Sequence, residues 1–170
     1  MTGPAASDRN GARDRDTAGR ARNARPRDEL GRPLRREAAR DVPRIPDDLV
    51  VSPAEAAERG GRLLAEGRPF HAHEIFEAAW KSTPGPEREL WRGLAQIAVG
   101  LTHARRGNAR GAVALLRRGA SHVGEFANAS GEVDAGFVAR QATGLALRIE
   151  HDGLANVSDA ELRLTLSQPR

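Results

Sequence analysis

Three side chains in this sequence are spaced to act together: His73, Glu77 and Trp80. At i, i+4 and i+7 of a helix they stack on one face. An imidazole and a carboxylate one turn apart can hold a divalent metal ion or exchange a proton. They can also simply hydrogen-bond each other inside a core. In that last case Trp80 covers the pair, and its indole N–H is expected to reach a carboxylate or carbonyl. The residue types leave these readings open. A mononuclear metal site needs a third protein ligand or a partner chain. His103 is the expected third ligand, on a helix that returns antiparallel to the first. Gln96 lies seven residues before His103 on the same face, where it could orient a ligand or a bound water. Glu74 points about 100° away from His73 and is the weaker carboxylate. Phe70 completes the group on the motif side.

The chain has no cysteine, so any ligands are nitrogen and oxygen. That donor set suits Zn, Mn, Fe or Ni. The chemistry it could support is activation of water for hydrolysis. No single residue stands out as catalytic. His73-Glu74-Ile75-Phe76-Glu77 resembles a zinc-protease helix, but the second histidine of that pattern is absent. No glycine-rich phosphate loop follows a strand pattern, so no organic cofactor is expected. The sequence has no tyrosine, which excludes a tyrosine acid. The remaining histidines read as structural. His71, two positions from His73, is expected to face solvent. His122 is expected partly buried near a helix end, and His151 beside a helix C-terminus.

Helical segments must position these groups. Ser52, Pro53 and Glu55 form a cap, first-turn proline and capping box, and Gly67 closes the helix they start. Gly60-Gly61 in its middle suggests a kink or a close contact. A second helix runs from Pro69 to about Ser82, before the breaker Thr83-Pro84-Gly85-Pro86. A third runs from about Pro86 to Arg106, with Leu90, Leu94, Ile97, Ala98 and Leu101 as its stripe. Gly107-Asn108 ends it and caps a fourth, over about 109–127, whose inward face includes Leu115, Leu116, Val123 and Phe126. A fifth spans about Asp134 to Glu150, with Phe137, Leu145 and Ile149 inward. Ser158 and Glu161 could cap one last short helix.

The sequence has 170 residues and a formal charge of +4. Residues 1–42 hold 11 Arg against 7 Asp and Glu, whereas residues 43–170 balance at 16 of each sign. All six aromatic residues lie beyond residue 69. Residues 1–42 are therefore expected to be a disordered, Arg-rich tail, since they cannot bury enough apolar area to order themselves. Acidic residues interrupt the basic ones, so nucleic-acid binding through the tail is not favoured. No apolar run approaches a membrane span or a signal peptide's centre, which makes a cytoplasmic protein without membrane contact the expectation.

The motifs also carry a family resemblance. His73-x3-Glu77-x2-Trp80, preceded by Phe70 and Ala72, resembles the signature of DUF309, a small bacterial and archaeal domain of unknown function. The likeness continues through Gly93-Leu94-Ala95-Gln96-Ile97-Ala98, His103, Gly107-Asn108 and Gly111-Ala112, over roughly residues 53–126. It implies an all-helical fold and suggests metal at the His-x3-Glu-x2-Trp motif, and brings no activity. The expectation is an all-α protein: one compact bundle of about five antiparallel helices in residues 43–170. Its function is read as a helical domain that binds a divalent metal, with hydrolysis as the chemistry. The alternative is a non-enzymatic interaction module, with a protein partner or a second copy of itself, in which the motif is a structural network.

Overall fold

Four of the five helices begin where the sequence supplies a start signal, and the third begins without one, two residues after Pro86. In the computed structural model, which describes residues 27–32, 49–129 and 131–168, the first helix is α1, Pro53–Ala65. Ser52 caps it: the Glu55 N–H donates to Ser52 Oγ at 3.3 Å, and the Ser52 N–H donates to Glu55 Oε2 at 3.0 Å. Helix α2, Pro69–Ser82, starts on proline, which lacks the N–H that a first turn leaves unpaired. Helix α3 spans Arg88–Arg105. Helix α4, Ala109–Gly124, is capped by Asn108, and α5, Ala135–Asp152, by Asp134. A single 3-10 turn, Leu154–Asn156, follows. The described residues contain no strand, and none of their helices is long and apolar enough to cross a membrane. The fold is all-α, as the sequence indicated.

The main helix contacts join sequence neighbours: α1 with α2, α2 with α3, α3 with α4, and α4 with α5. Short turns make the first three pairs antiparallel, and a longer connection joins α4 to α5. The core holds Leu64, Ile75, Phe76, Leu94, Ile97, Leu101, Leu116, Val123 and Val138, all essentially without solvent contact. Two seams are set by glycine. A Cβ at Gly60 would lie 2.2 Å from the Phe76 ring, so Gly60 marks a close contact with α2, while a Cβ at Gly61 would meet Leu166 at 3.2 Å. A Cβ at Gly119 would lie 2.7 Å from the Gly93 carbonyl oxygen, so α3 and α4 meet almost backbone to backbone. Leu115, Phe126 and Phe137 are only half-buried, and Val138 and Ala142 take the inward positions of α5 instead.

The last expected helix does not form. Ser158 and Glu161 make the reciprocal bonds of a capping box, at 2.8 and 3.3 Å. Yet residues 159–162 are only a turn, and the chain then runs extended. The reason is the alternation after Glu161. Leu162, Leu164 and Leu166 are buried while Arg163, Thr165 and Ser167 are exposed, a period of two that an extended chain satisfies and a helix does not. The Asp134 N–H donates to the Leu166 carbonyl at 2.9 Å, fastening this strip to the start of α5. Of the N-terminal segment expected to be disordered, residues 27–32 form a turn against the bundle. The rest of 1–42 lies outside the described residues.

Candidate functional site

Helix α2 lies between α1 and α3, so its buried arc is wide. His73, Glu77 and Trp80 occupy the edge of that arc. Their side chains form a ladder with a member that sequence reasoning missed. His73 Nε2 lies 3.5 Å from Glu77 Oε2, and Lys81 Nζ lies 2.8 Å from Glu77 Oε1. Lys81 stands four residues after Glu77, the spacing that should have flagged it. The His73 and Glu77 side chains retain 26% and 36% of their exposure, so the pair is a surface-edge contact rather than a buried network. Burial holds the His73 imidazole below the ordinary histidine range. Glu77 partly offsets this, and Lys81 adds to it. A neutral imidazole at 3.5 Å makes the His73–Glu77 contact weak rather than charge-assisted.

Trp80 faces α3. The Arg88 and Arg92 guanidinium carbons lie 5.4 and 6.0 Å from its ring centroid. This is cation–π distance. Arg92 also pairs with Glu89 at 3.0 Å. The expected hydrogen bond from the indole is missing: Trp80 Nε1 is buried without a partner. Gln96 Oε1, half-way along α3, is also buried and unpartnered. Glu74 is half-buried on the next strip of α2. The Phe70 ring lies 6.3 Å from that of His73 and 5.7 Å from that of His71, edge-on to the latter.

His103 does not join this group. The hairpin turns between Ser82 and Arg88, which sets His73 level with about residue 97. His103 then lies roughly 9 Å further along the axis. It has a different task. Asn108 Oδ1 accepts the Gly111 N–H at 2.9 Å, so the amide Nδ2 faces His103 Nδ1, 2.7 Å away. Nδ1 is then the acceptor and the ring proton sits on Nε2. His103 braces the turn between α3 and α4. Among the described residues, no three His, Cys, Asp or Glu side chains gather closely enough to hold a metal ion.

His71 is buried, not exposed. With Ile75 and Ala78 it forms a second inward stripe, possible because α2 has helices on two sides. Its Nδ1 has no partner, and burial keeps the ring below the ordinary histidine range. His122 is half-buried, its Cβ close to the Gly93 backbone, with Nδ1 unpartnered. His151 is exposed at the end of α5, beside Asp152 at 2.9 Å. Two depressions lie away from this group. One of about 160 Å³ is lined by Pro53, Leu90, Trp91, Phe126 and Val133. A broad open depression involves Asn108, Arg110, Ala114 and Glu150. Neither includes His73, Glu77 or Trp80.

Part of the sequence matches a known family. Residues 57–115 match the family described as "Domain of unknown function (DUF309)". The resemblance to DUF309 is confirmed. The matched span runs from within α1 to within α4 and contains the whole motif ladder. "Uncharacterized protein YpuF" of Bacillus subtilis (strain 168) is 46% identical over 48 residues. That alignment covers 28% of this chain and 28% of that protein. No solved structure matches.

Proposed function

We propose that this DUF309-type chain is a non-enzymatic protein-interaction domain whose Trp80 face meets a protein partner in the cytoplasm. Trp80 carries the reading. A half-buried indole beside two exposed guanidinium groups is the combination most enriched where binding energy concentrates. The ladder His73–Glu77–Lys81 then serves to order α2 beneath that face. The fate of the carboxylate supports this, since Lys81 already neutralises Glu77 at 2.8 Å.

One observation favours a second reading. Burial disfavours the protonated His73 imidazole, and its Nε2 lies 3.5 Å from Glu77 Oε2, so a nitrogen and an oxygen donor sit together on one side of α2. His73 and Glu77 would then be a two-donor half-site for Zn, Mn, Fe or Ni. A second copy or a partner would complete it, and metal-bound water would supply hydrolysis.

One experiment separates the two. A photo-crosslinking residue replaces Lys81 in the full chain, and adducts are collected in cells. Metal titrations of wild type, His73→Ala and Glu77→Ala run alongside. We expect a discrete adduct that Trp80→Ala abolishes, with no stoichiometric metal uptake. Stoichiometric uptake that is lost in both variants while helicity persists, without an adduct, would establish the metal reading instead.

A further inference from the structure

The N-terminal end of α2 is covered by a turn of the chain itself. We propose that Phe70, His71 and Arg106 form a turn-binding site, and that residues Arg27–Arg32 occupy it as a displaceable cover.

The turn is built to hold its own shape. Asp28 Oδ1 accepts the N–H groups of Leu30 at 3.0 Å and Arg32 at 2.7 Å. The Asp28 carbonyl accepts the Gly31 N–H at 2.8 Å, and the Asp28 N–H donates to the Arg32 carbonyl at 3.0 Å. The Arg27 guanidinium donates to the Gly31 carbonyl at 2.6 Å. A short aspartate side chain that bonds its own following backbone is a turn-former in its own right. Such a unit loses little freedom when it docks.

Its fit to the bundle depends on one residue. Gly31 is buried and adopts φ +72°, a left-handed conformation. A Cβ there would lie 2.2 Å from the Phe70 ring. The Gly31 backbone therefore sits directly against the Phe70 ring, which only glycine permits. On the far side the Arg106 guanidinium donates to the Leu30 carbonyl. Glu29 places its charge near His71. The site thus recognises backbone shape and a carbonyl, with one carboxylate toward an imidazole. It presents few apolar contacts: Leu30 is half-buried and Glu29 exposed. A unit tied by one ring contact and one guanidinium belongs to the low-stability end of local opening. The five helices do not need it for their core, since no member of the buried cluster comes from residues 27–32. The cover is independent of what the Trp80 face binds.

The test is proteolysis of the full chain. A glutamyl endopeptidase cuts after Glu29 only when the turn has left its seat and opened. Gly31→Ala removes the fit, and Arg106→Ala removes the carbonyl donor without touching the turn's own geometry. In both variants cleavage after Glu29 is expected to accelerate by about tenfold or more at unchanged helix content, because cutting follows the open population. The His71 imidazole resonances should shift in parallel, and those of His151 should not. Equal cleavage in wild type and both variants would overturn the proposal. So would loss of helix content in Arg106→Ala, which would make the turn part of the fold rather than a cover on it.

Discussion

The two sides of α2 are built on opposite terms. On the inner side Phe76 fills the notch that Gly60 leaves, and its ring lies 6.2 Å from that of Trp91. Apart from the buried His71 ring, that side is apolar and matched in shape. On the outer side the contacts are polar and incomplete. Glu77 is shared by a weak imidazole and a lysine, and the Trp80 N–H has no partner. Buried polar atoms in folded proteins are nearly always paired. The contrast teaches that one helix can be fixed from its inner face alone. Its outer face is then left able to take contacts from elsewhere.

The inner side should break first and hardest. Phe76→Ala empties a fully buried ring site and is expected to cost about 3–5 kcal/mol. Urea unfolding monitored by helicity measures it. A smaller loss is expected at the neighbouring seam. Gly119→Ala forces a methyl group within 2.6 Å of an Ile97 side-chain carbon, for about 1–3 kcal/mol of overpacking. If it were tolerated without loss, α3 and α4 would not be held at backbone contact. The smallest effect should come from acid. His71 and His73 both titrate below the ordinary range in the folded chain, so the unfolded chain binds protons more readily. Stability should be complete above about pH 6.5, and fall as pH drops through that value toward the depressed folded values. Urea midpoints at neutral and mildly acidic pH measure this. His73→Gln should flatten the dependence in part, since His71 contributes the rest.

What the sequence made legible is what short-range chemistry decides. Ser52-Pro53-x-Glu55, Gly67, Gly107-Asn108 and Asp134 each act within one turn of chain, and each marks a boundary where it was expected. The motif face of α2 was legible for the same reason, because i and i+4 are neighbours in any helix. What failed depended on partners distant in sequence. A helical wheel puts His71 toward solvent because it does not show a second helix on the other side. Sequence position on a returning helix points to His103 as a ligand, but spacing along α3 says nothing about its height relative to α2. The indole of Trp80 found guanidinium groups instead of an acceptor. The final extended strip is a different kind of miss. The alternation Leu162-Arg163-Leu164-Thr165-Leu166 was there to read, and a good cap drew the reading toward a helix.

That strip changes how the whole chain must come apart. Helices that touch mainly their sequence neighbours resemble a repeat array, in which ends fray independently and unfolding can proceed unit by unit. Here Leu166 lies against Gly61 of α1 while its carbonyl holds the start of α5. The first helix and the last are thereby joined through one residue of the strip. The array becomes a closed ring of contacts. Its local contacts form early, and closure waits on the contact of greatest sequence separation. A chain of hairpins thus acquires a single cooperative transition, with its latch at the strip rather than in any helix.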